Sequence, residues 1–168
     1  DQVRRAIAWI ARNAETFGGN PDEIHVTGHS SGAHLAGVAL TTDWEVSFGL
    51  PLTVIKTALL CSGIYDLTPV RLSARSSYVS FTDASVHALS PLFHLEKIAA
   101  LVSVAFGTEE TPEFKRQAIV FEEALALRRN VCGLVVGGNL NHFEILETLA
   151  DPRGVLGMAA LGGMGIGY

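Results

Sequence analysis

Charged residues are scarce in this sequence, and long apolar runs are missing. Lysine, arginine, aspartate and glutamate make up 17% of the 168 residues, the formal net charge is -5, and no basic stripe is visible. Proteins that bind nucleic acids neutralise phosphates with clustered lysines and arginines, so this composition argues against a nucleic-acid partner. No apolar run approaches the length that spans a bilayer, and the first residues carry no signal-peptide pattern, so we expect no membrane partner.

Cysteine is also rare, and the histidines lack the spacing of metal ligands. The two cysteines, Cys61 and Cys132, each lie in or beside an apolar run. We expect buried free thiols in a reducing, cytoplasmic compartment rather than a disulfide. Among the six histidines, His29 and His34 lie five residues apart, with no cysteine or carboxylate completing a ligand pattern. The sequence therefore predicts no metal site.

Hydrophobic residues, in contrast, make up 48% of the chain, which is enough for one core. Apolar, strand-like runs alternate with helical patterns, and this alternation predicts an α/β fold with a parallel sheet flanked by helices. We expect a single domain over residues 1–168, with a polar, serine-rich excursion at 67–95 passing over the sheet like a cap. The predicted strands are 24–28, 54–61, 101–106 and 131–136.

Two amphipathic helices accompany these strands. Apolar residues at helical spacing open the chain and predict one buried face, formed by Val3, Ala6, Ile7, Ile10, Ala14 and Phe17. Pro112 fits the first turn of a second helix, which we expect to extend to about Arg129. Its predicted apolar positions are Phe114, Ala118, Phe121, Leu125 and Leu127.

The stretch Gly28–Gly32, with sequence GHSSG, lies between a predicted strand and a helix rich in small residues. This context is typical of a nucleophile elbow, in which a sharp turn exposes the hydroxyl of the central serine, here Ser30. Side chains two residues either way would collide with the strand and the helix, and glycines at both positions remove that collision.

Polar residues that could form a catalytic triad follow the ends of three predicted strands. Ser30 follows the first strand, an acid follows the third and His142 follows the fourth. The carboxyl ends of parallel strands meet at one edge of a sheet, so these side chains can come together. A serine needs a histidine to take its proton, and the histidine needs a carboxylate to fix its tautomer. The order serine, acid, histidine is that of α/β-hydrolases.

Besides GHSSG, the sequence contains the short motifs FGGNP at 17–21, SGIYDL at 62–67, TPEF at 111–114 followed by Arg116 and Gln117, and His142-Phe143. Together these motifs resemble those of the bacterial kynurenine formamidase-like (arylformamidase) α/β-hydrolases, relatives of the hormone-sensitive-lipase esterases. The resemblance covers nearly the whole chain. It implies that Ser30 is the nucleophile and His142 the base.

The triad acid is implied by counting from the family pattern. Three residues after Gly107 stands Glu110, where the family usually has aspartate, and a glutamate on its longer stem can still orient an imidazole. Glu109 and Asp66 remain alternatives, although Asp66 is expected to cap the helix or turn that follows it.

The oxyanion hole is only half accounted for. One donor should be the backbone N–H of Ser31, directly after the nucleophile, but the sequence has no His-Gly-Gly loop to supply the second. The family's first strands are absent too, so we expect the chain to be the C-terminal part of a longer enzyme or a shortened relative. Folded alone, it would expose the edge of the first strand and could form a homodimer.

The sequence thus predicts a serine hydrolase of the α/β-hydrolase fold, without a cofactor, acting on a small carboxylic ester or N-formyl aryl amide. If the resemblance extends to the substrate, the reaction converts N-formylkynurenine and water to kynurenine and formate, a step of tryptophan catabolism. A general short-chain carboxylesterase is the nearest alternative. A catalytically weak hydrolase-like binding module is the alternative of another class.

Overall fold

The chain forms a four-stranded sheet with helices on both faces. The computed structural model describes residues 1–167, and for Val131 and Cys132 it describes the backbone only. The strands are β1 (His25–His29), β2 (Thr57–Cys61), β3 (Leu101–Gly107) and β4 (Val131–Gly137). The helices, in chain order, are α1 (Gln2–Asn13), α2 (Ser31–Leu40), α3 (Trp44–Phe48), α4 (Thr68–Arg71), α5 (Asp83–Ala88), α6 (Pro112–Leu127), α7 (Glu144–Glu147) and α8 (Val155–Gly163).

The sheet is parallel throughout, and its strands lie in chain order, β1-β2-β3-β4. Within the described residues β1 pairs with β2 alone and so forms one edge. Each strand's carboxyl end lies at the same edge of the sheet, because all four run in one direction. The predicted parallel α/β architecture is confirmed, and it brings the loops after β1, β2, β3 and β4 together.

Alternate residues of the strands enter two different cores. Leu60, Val102 and Val104 face the larger core, which they share with α1, α2 and α6. Leu59 and Ala105 face a smaller core, where Ile145 of α7 and Leu156 of α8 cover the opposite side of the sheet. Burial on both faces explains why the strands are nearly continuous apolar runs.

The buried face of α1 differs from the predicted one. Ile7, Ala8 and Ala14 are buried, whereas Ile10 and Phe17 lie on the surface, and Phe17 stacks there on Trp9 with ring centroids 6.0 Å apart. Apolar residues occur on more than one face of this helix, so their spacing alone could not predict which face packs against the core. In α6 the predicted positions are buried at Ala118, Phe121 and Leu125, but Leu127 is exposed because it lies on the opposite side of the helix from Leu125.

The second strand is shorter than the apolar run suggests. Val54 and Ile55 are buried, but they belong to a 3-10 turn (Leu52–Val54) and its exit, and β2 begins only at Thr57. Apolar burial therefore extends beyond the hydrogen-bonded ladder. The other strand predictions agree with the structure to within one residue.

The excursion at 67–95 consists of short helices and turns. Besides α4 and α5 it contains three 3-10 turns, Ala74–Ser77, Pro91–Phe93 and Leu95–Lys97. Its two ends are tied together, since the Leu67 N–H donates to Ser90 Oγ (2.9 Å) and the Leu92 N–H donates to the Tyr65 carbonyl (3.0 Å). The segment therefore leaves the sheet edge and returns to it beside the loop after β2.

The remaining sequence expectations concern the cysteines and the membrane. Cys61 is a buried free thiol, as predicted, and burial raises its pKa to about 11, so it stays protonated. The side chain of Cys132 lies outside the described residues. No helix in the described part of the chain is long and apolar enough to cross a bilayer.

Candidate active site

Ser30 occupies a sharp turn between β1 and α2. Its backbone has φ 55° and ψ -121°, a left-handed conformation that is costly for a residue with a side chain. A Cβ at Gly28 would lie 2.4 Å from the carbonyl oxygen of Gly32, so glycine is required there. At Gly32, in contrast, a Cβ would meet no atom within 4 Å, so the predicted collision exists on the strand side only.

The loops after β3 and β4 approach each other closely. Gly107 ends β3, and a Cβ there would lie 2.1 Å from the carbonyl oxygen of Leu140 in the loop after β4. The Glu109 N–H donates to that same carbonyl at 3.1 Å. Glycine at position 107 therefore lets the loop carrying the acid and the loop carrying His142 pack backbone to backbone.

Three predicted residues form one chain of hydrogen bonds. His142 Nε2 lies 2.9 Å from Ser30 Oγ, and His142 Nδ1 lies 2.8 Å from Glu110 Oε2. The Glu110 side chain has no exposed surface, whereas that of His142 is 21% exposed. Because a carboxylate only accepts, Nδ1 carries the proton and Nε2 is left to accept from the serine hydroxyl.

The two alternative acids lie elsewhere. Glu109 is exposed and accepts from the neighbouring Thr108 hydroxyl at 3.4 Å. Asp66 Oδ1 accepts from the Thr68 N–H at 2.8 Å, which is the expected capping contact at the turn into α4. The geometry brings Glu110 alone of the three acids to His142.

The imidazole of His142 is held from several sides. The ring packs on Phe114 and on His29, with centroids 4.5 and 4.6 Å away, and its backbone carbonyl accepts from His29 Nε2 at 2.7 Å. Phe143 contacts the ring edge at 5.3 Å. Packing and hydrogen bonding together fix the base relative to the elbow.

Ser31 begins α2 directly after the nucleophile. N–H groups in the first turn of a helix lack acceptors within the helix, and the helix dipole makes this end partially positive. The predicted oxyanion donor is therefore placed at an anion-attracting helix end, and Ser31 itself is exposed.

A cavity of about 550 Å³ opens beside Ser30. This volume falls in the range of small-molecule sites. Its walls include the charged residues Arg75 and Glu113, and its main apolar residues are Ile64, Leu67, Val70, Val79, Phe81 and Phe114. Glu113 is held by Arg116 through two 2.8 Å hydrogen bonds, which lower the Glu113 pKa, whereas Arg75 forms no ion pair within residues 1–167.

The other histidines take different places. His25, in β1, has its Nδ1 2.8 Å from Thr57 Oγ1. His34 lines the cavity and donates from Nε2 to the Leu89 carbonyl at 2.7 Å, and burial lowers its pKa below 6.5. His87 and His94 contact each other within the excursion. No group of three potential ligands among the described residues could hold a metal ion.

Sequence reasoning did not single out Ser62, which contacts Glu110. It follows β2 as Ser30 follows β1, it is fully buried, and its hydroxyl donates to Glu110 Oε1 at 2.6 Å. Its place after a strand end was a usable signal, but a contact across 48 residues of sequence was not visible. The roles of Arg75 and His34 as cavity walls depend on the excursion, whose path the sequence did not reveal.

Comparison with known proteins finds similarity to hydrolases. Residues 1–59 match the family model described as BD-FAE. The chain is 31% identical over 164 residues to kynurenine formamidase of Danio rerio, covering 92% of this chain and 53% of that protein, and 33% identical over 159 residues to the Salmo salar enzyme, covering 89% and 51%. The chain thus spans about half the length of these curated relatives.

The chain is also similar to a solved structure. The crystal structure of a candidate thioesterase from Silicibacter sp. tm1040 aligns with a TM-score of 0.75 and 28% identity, over 95% of this chain and 57% of that one. The predicted α/β-hydrolase fold and the sequence resemblance are therefore both confirmed, since the chain is similar to kynurenine formamidases over most of its length.

Proposed function

We propose that this chain carries the active site of a serine hydrolase that cleaves N-formyl aryl amides. The observation that carries the proposal is the hydrogen-bonded chain from Ser30 through His142 to the buried Glu110. The similarity to kynurenine formamidases supports N-formylkynurenine as substrate and kynurenine and formate as products, a step of tryptophan catabolism.

The first step is attack of Ser30 Oγ on the formyl carbon. His142 Nε2 takes the hydroxyl proton as the C–O bond forms, and the carbonyl oxygen becomes an oxyanion. Glu110 keeps the proton of Nδ1 in place and stabilises the imidazolium that results. The 2.9 Å distance from Ser30 Oγ to His142 Nε2 is short enough for this proton transfer without rearrangement, and the 2.8 Å contact between Nδ1 and Glu110 Oε2 holds the imidazole during it.

The second step releases the aryl amine. His142 returns its proton to the leaving nitrogen, the C–N bond breaks, and the formyl group stays on Ser30 as an ester. Water then attacks that ester with His142 again acting as base, so that formate leaves and Ser30 regains its proton. No cofactor enters this sequence.

The Ser31 N–H is proposed to donate to the oxyanion in both steps. It stands next to the nucleophile at the N-terminal end of α2, where the helix dipole favours negative charge. Residues 1–167 include no His-Gly-Gly loop as a source for a second N–H.

The cavity suits an aromatic leaving group. Phe114 and Phe81 provide aromatic walls, and the positive charge of Arg75 suits a substrate that bears a carboxylate, as an amino acid does. A formyl group is small, so the bulk of such a substrate lies on the leaving-group side of the carbonyl.

Turnover by the purified chain tests the proposal. N-formylkynurenine and 4-nitrophenyl acetate are compared, with Ser30→Ala as the control for each substrate. The proposal requires a higher kcat/KM for the formamide, abolished by Ser30→Ala. Hydrolysis of the acetyl ester alone would contradict the formamidase assignment.

A general short-chain carboxylesterase is the second candidate. The largely apolar cavity walls and the similarity to a candidate thioesterase favour it. A binding module with weak catalysis is the third, favoured by the lack of a His-Gly-Gly loop within residues 1–167. Covalent labelling of Ser30 separates this last candidate from both hydrolases.

Compartment and assembly are part of the proposal. The buried free thiol of Cys61 supports a reducing, cytoplasmic location. The edge position of β1, which pairs with β2 alone within residues 1–167, supports a homodimer formed through this strand. Light scattering across a range of concentrations tests the dimer, and a constant monomer mass at the highest concentration would exclude it.

A further inference from the structure

Ser62 repeats the backbone arrangement of the nucleophile one strand further into the sheet. Both serines directly follow a parallel strand with positive φ, 55° at Ser30 and 54° at Ser62. The Ser30 N–H donates to the Cys61 carbonyl at 2.9 Å, and the Ser62 N–H donates to the Ala105 carbonyl at 2.7 Å. A left-handed conformation at a residue other than glycine is costly and tends to persist where it serves a site.

The hydroxyl of Ser62 is directed at the triad acid. Ser62 has no exposed surface, and its Oγ lies 2.6 Å from Glu110 Oε1. The Gly107 N–H donates to the same oxygen at 2.8 Å. Since an ionised carboxylate only accepts, Ser62 is the donor, and the second oxygen of Glu110 remains for His142.

A glutamate needs such fixing more than an aspartate does. It has one more rotatable bond, so its carboxylate can swing away from an imidazole that an aspartate would hold. The two donors on Oε1 remove this freedom and aim Oε2 at His142 Nδ1. Cys61 Sγ lies 3.3 Å from Ser62 Oγ, and the thiol stays protonated, so it introduces no competing charge.

We propose that Ser62 is a positioning residue, which acts on catalysis through Glu110 and touches no substrate. The inference rests on the proposed function for its kinetic consequences, but the hydrogen bond itself can be tested without turnover. In chemical terms, the Ser62 hydroxyl donates one hydrogen bond that keeps the buried Glu110 carboxylate in the orientation that His142 requires.

The kinetic test uses Ser62→Ala in the 168-residue chain. We expect kcat to fall about 10- to 100-fold, the usual cost of removing a group that orients a functional side chain, with KM nearly unchanged. Ser103→Ala is the matched control, because Ser103 is also buried but lies in the middle of β3, away from Glu110 and from the cavity. Ser103→Ala should leave kcat unchanged.

A double-mutant cycle separates positioning from a general structural effect. In a Glu110→Gln background, Ser62→Ala should change kcat little further, because the group through which it acts is already impaired. Equal fold-losses in both backgrounds would show that Ser62 acts independently of Glu110 and would overturn the inference.

Nuclear magnetic resonance of histidine-labelled protein gives a readout without turnover. The Nδ1 proton of His142, hydrogen-bonded to Glu110, should give a downfield signal in the wild type and in Ser103→Ala, and that signal should shift or broaden in Ser62→Ala. An unchanged signal in folded Ser62→Ala would overturn the inference. If Ser62→Ala changed the signal as expected but the wild type had no turnover, the proposed function would be contradicted and the positioning role of Ser62 would stand.

Discussion

His29 Nε2 donates to the backbone carbonyl of His142 across 2.7 Å, so the residue before the nucleophile holds the loop that carries the base. The two rings also pack at 4.6 Å. The elbow and the loop after β4 are thereby joined at a second point besides the Ser30–His142 contact itself. The distance between nucleophile and base then depends on this bond as well as on the strands.

Removal of that bond should impair catalysis more than folding. We expect His29→Ala to lower kcat about tenfold, because one hydrogen bond and a ring contact that hold the base are lost, equivalent to roughly 1.4 kcal/mol. His25→Ala, on the same strand but bonded to Thr57 away from the site, serves as control in steady-state assays. Equal effects of the two variants would argue against a role for His29 in holding the base.

Exchange of the acids distinguishes Glu110 from its neighbour. Glu110→Gln presents an amide to His142 Nδ1 and disfavours the required tautomer, so kcat should fall by about 10³ to 10⁴. Glu109→Gln, in an exposed side chain one residue away, should stay within about twofold of the wild type. Steady-state assays and thermal unfolding of both variants check this, and a large loss in Glu109→Gln alone would reverse the assignment.

Arg75 should determine which leaving groups the cavity prefers. Arg75→Gln removes the charge expected to meet a substrate carboxylate, so KM for N-formylkynurenine should rise about tenfold, the effect of roughly 1.4 kcal/mol. The analogue 2'-formamidoacetophenone lacks the amino-acid group, and its kinetics should not change.

Arg71→Gln is the matched control for that experiment, because Arg71 lies in the same excursion but pairs with Asp83. If Arg75→Gln raised KM equally for both substrates, Arg75 would not act by binding the carboxylate of N-formylkynurenine.

The partly buried ring of His34 should make stability depend on pH. Its pKa in the folded protein is lowered below 6.5, chiefly by burial, so the unfolded chain binds a proton first as the pH falls. The contribution of neutral His34 to the free energy of unfolding is complete above pH 6.5 and declines as the pH falls toward the pKa of His34 in the folded protein. Urea unfolding at pH 7.5 and 5.5 should therefore show a larger loss for the wild type than for His34→Gln, and equal losses would contradict this assignment.

Local patterns predicted the parts of the site that depend on strand ends. The elbow at Ser30, the loop position of His142 and the parallel order of the strands follow from apolar runs and glycines that act over a few residues. Gly107 also indicated the end of β3, and the position three residues after it identified Glu110 as the candidate acid.

Other features depend on contacts between distant segments. The packed side of α1 could not be chosen because Trp9, Ile10 and Phe17 make another side of the helix apolar too. The bond between Ser62 and Glu110 forms only after β2 and β3 pair. The path of 67–95, which supplies several cavity walls, is set by ties to Tyr65 and Ser90 rather than by periodicity.

The central claim is that Ser30 is an activated nucleophile within this chain. Incubation of the purified 168-residue protein with a fluorophosphonate probe, followed by mass spectrometry of the adduct, tests it most directly, with Ser30→Ala as control. The account predicts rapid labelling confined to Ser30, slowed strongly in Glu110→Gln. No labelling in a protein shown to be folded, or labelling that persists in Ser30→Ala, would contradict it.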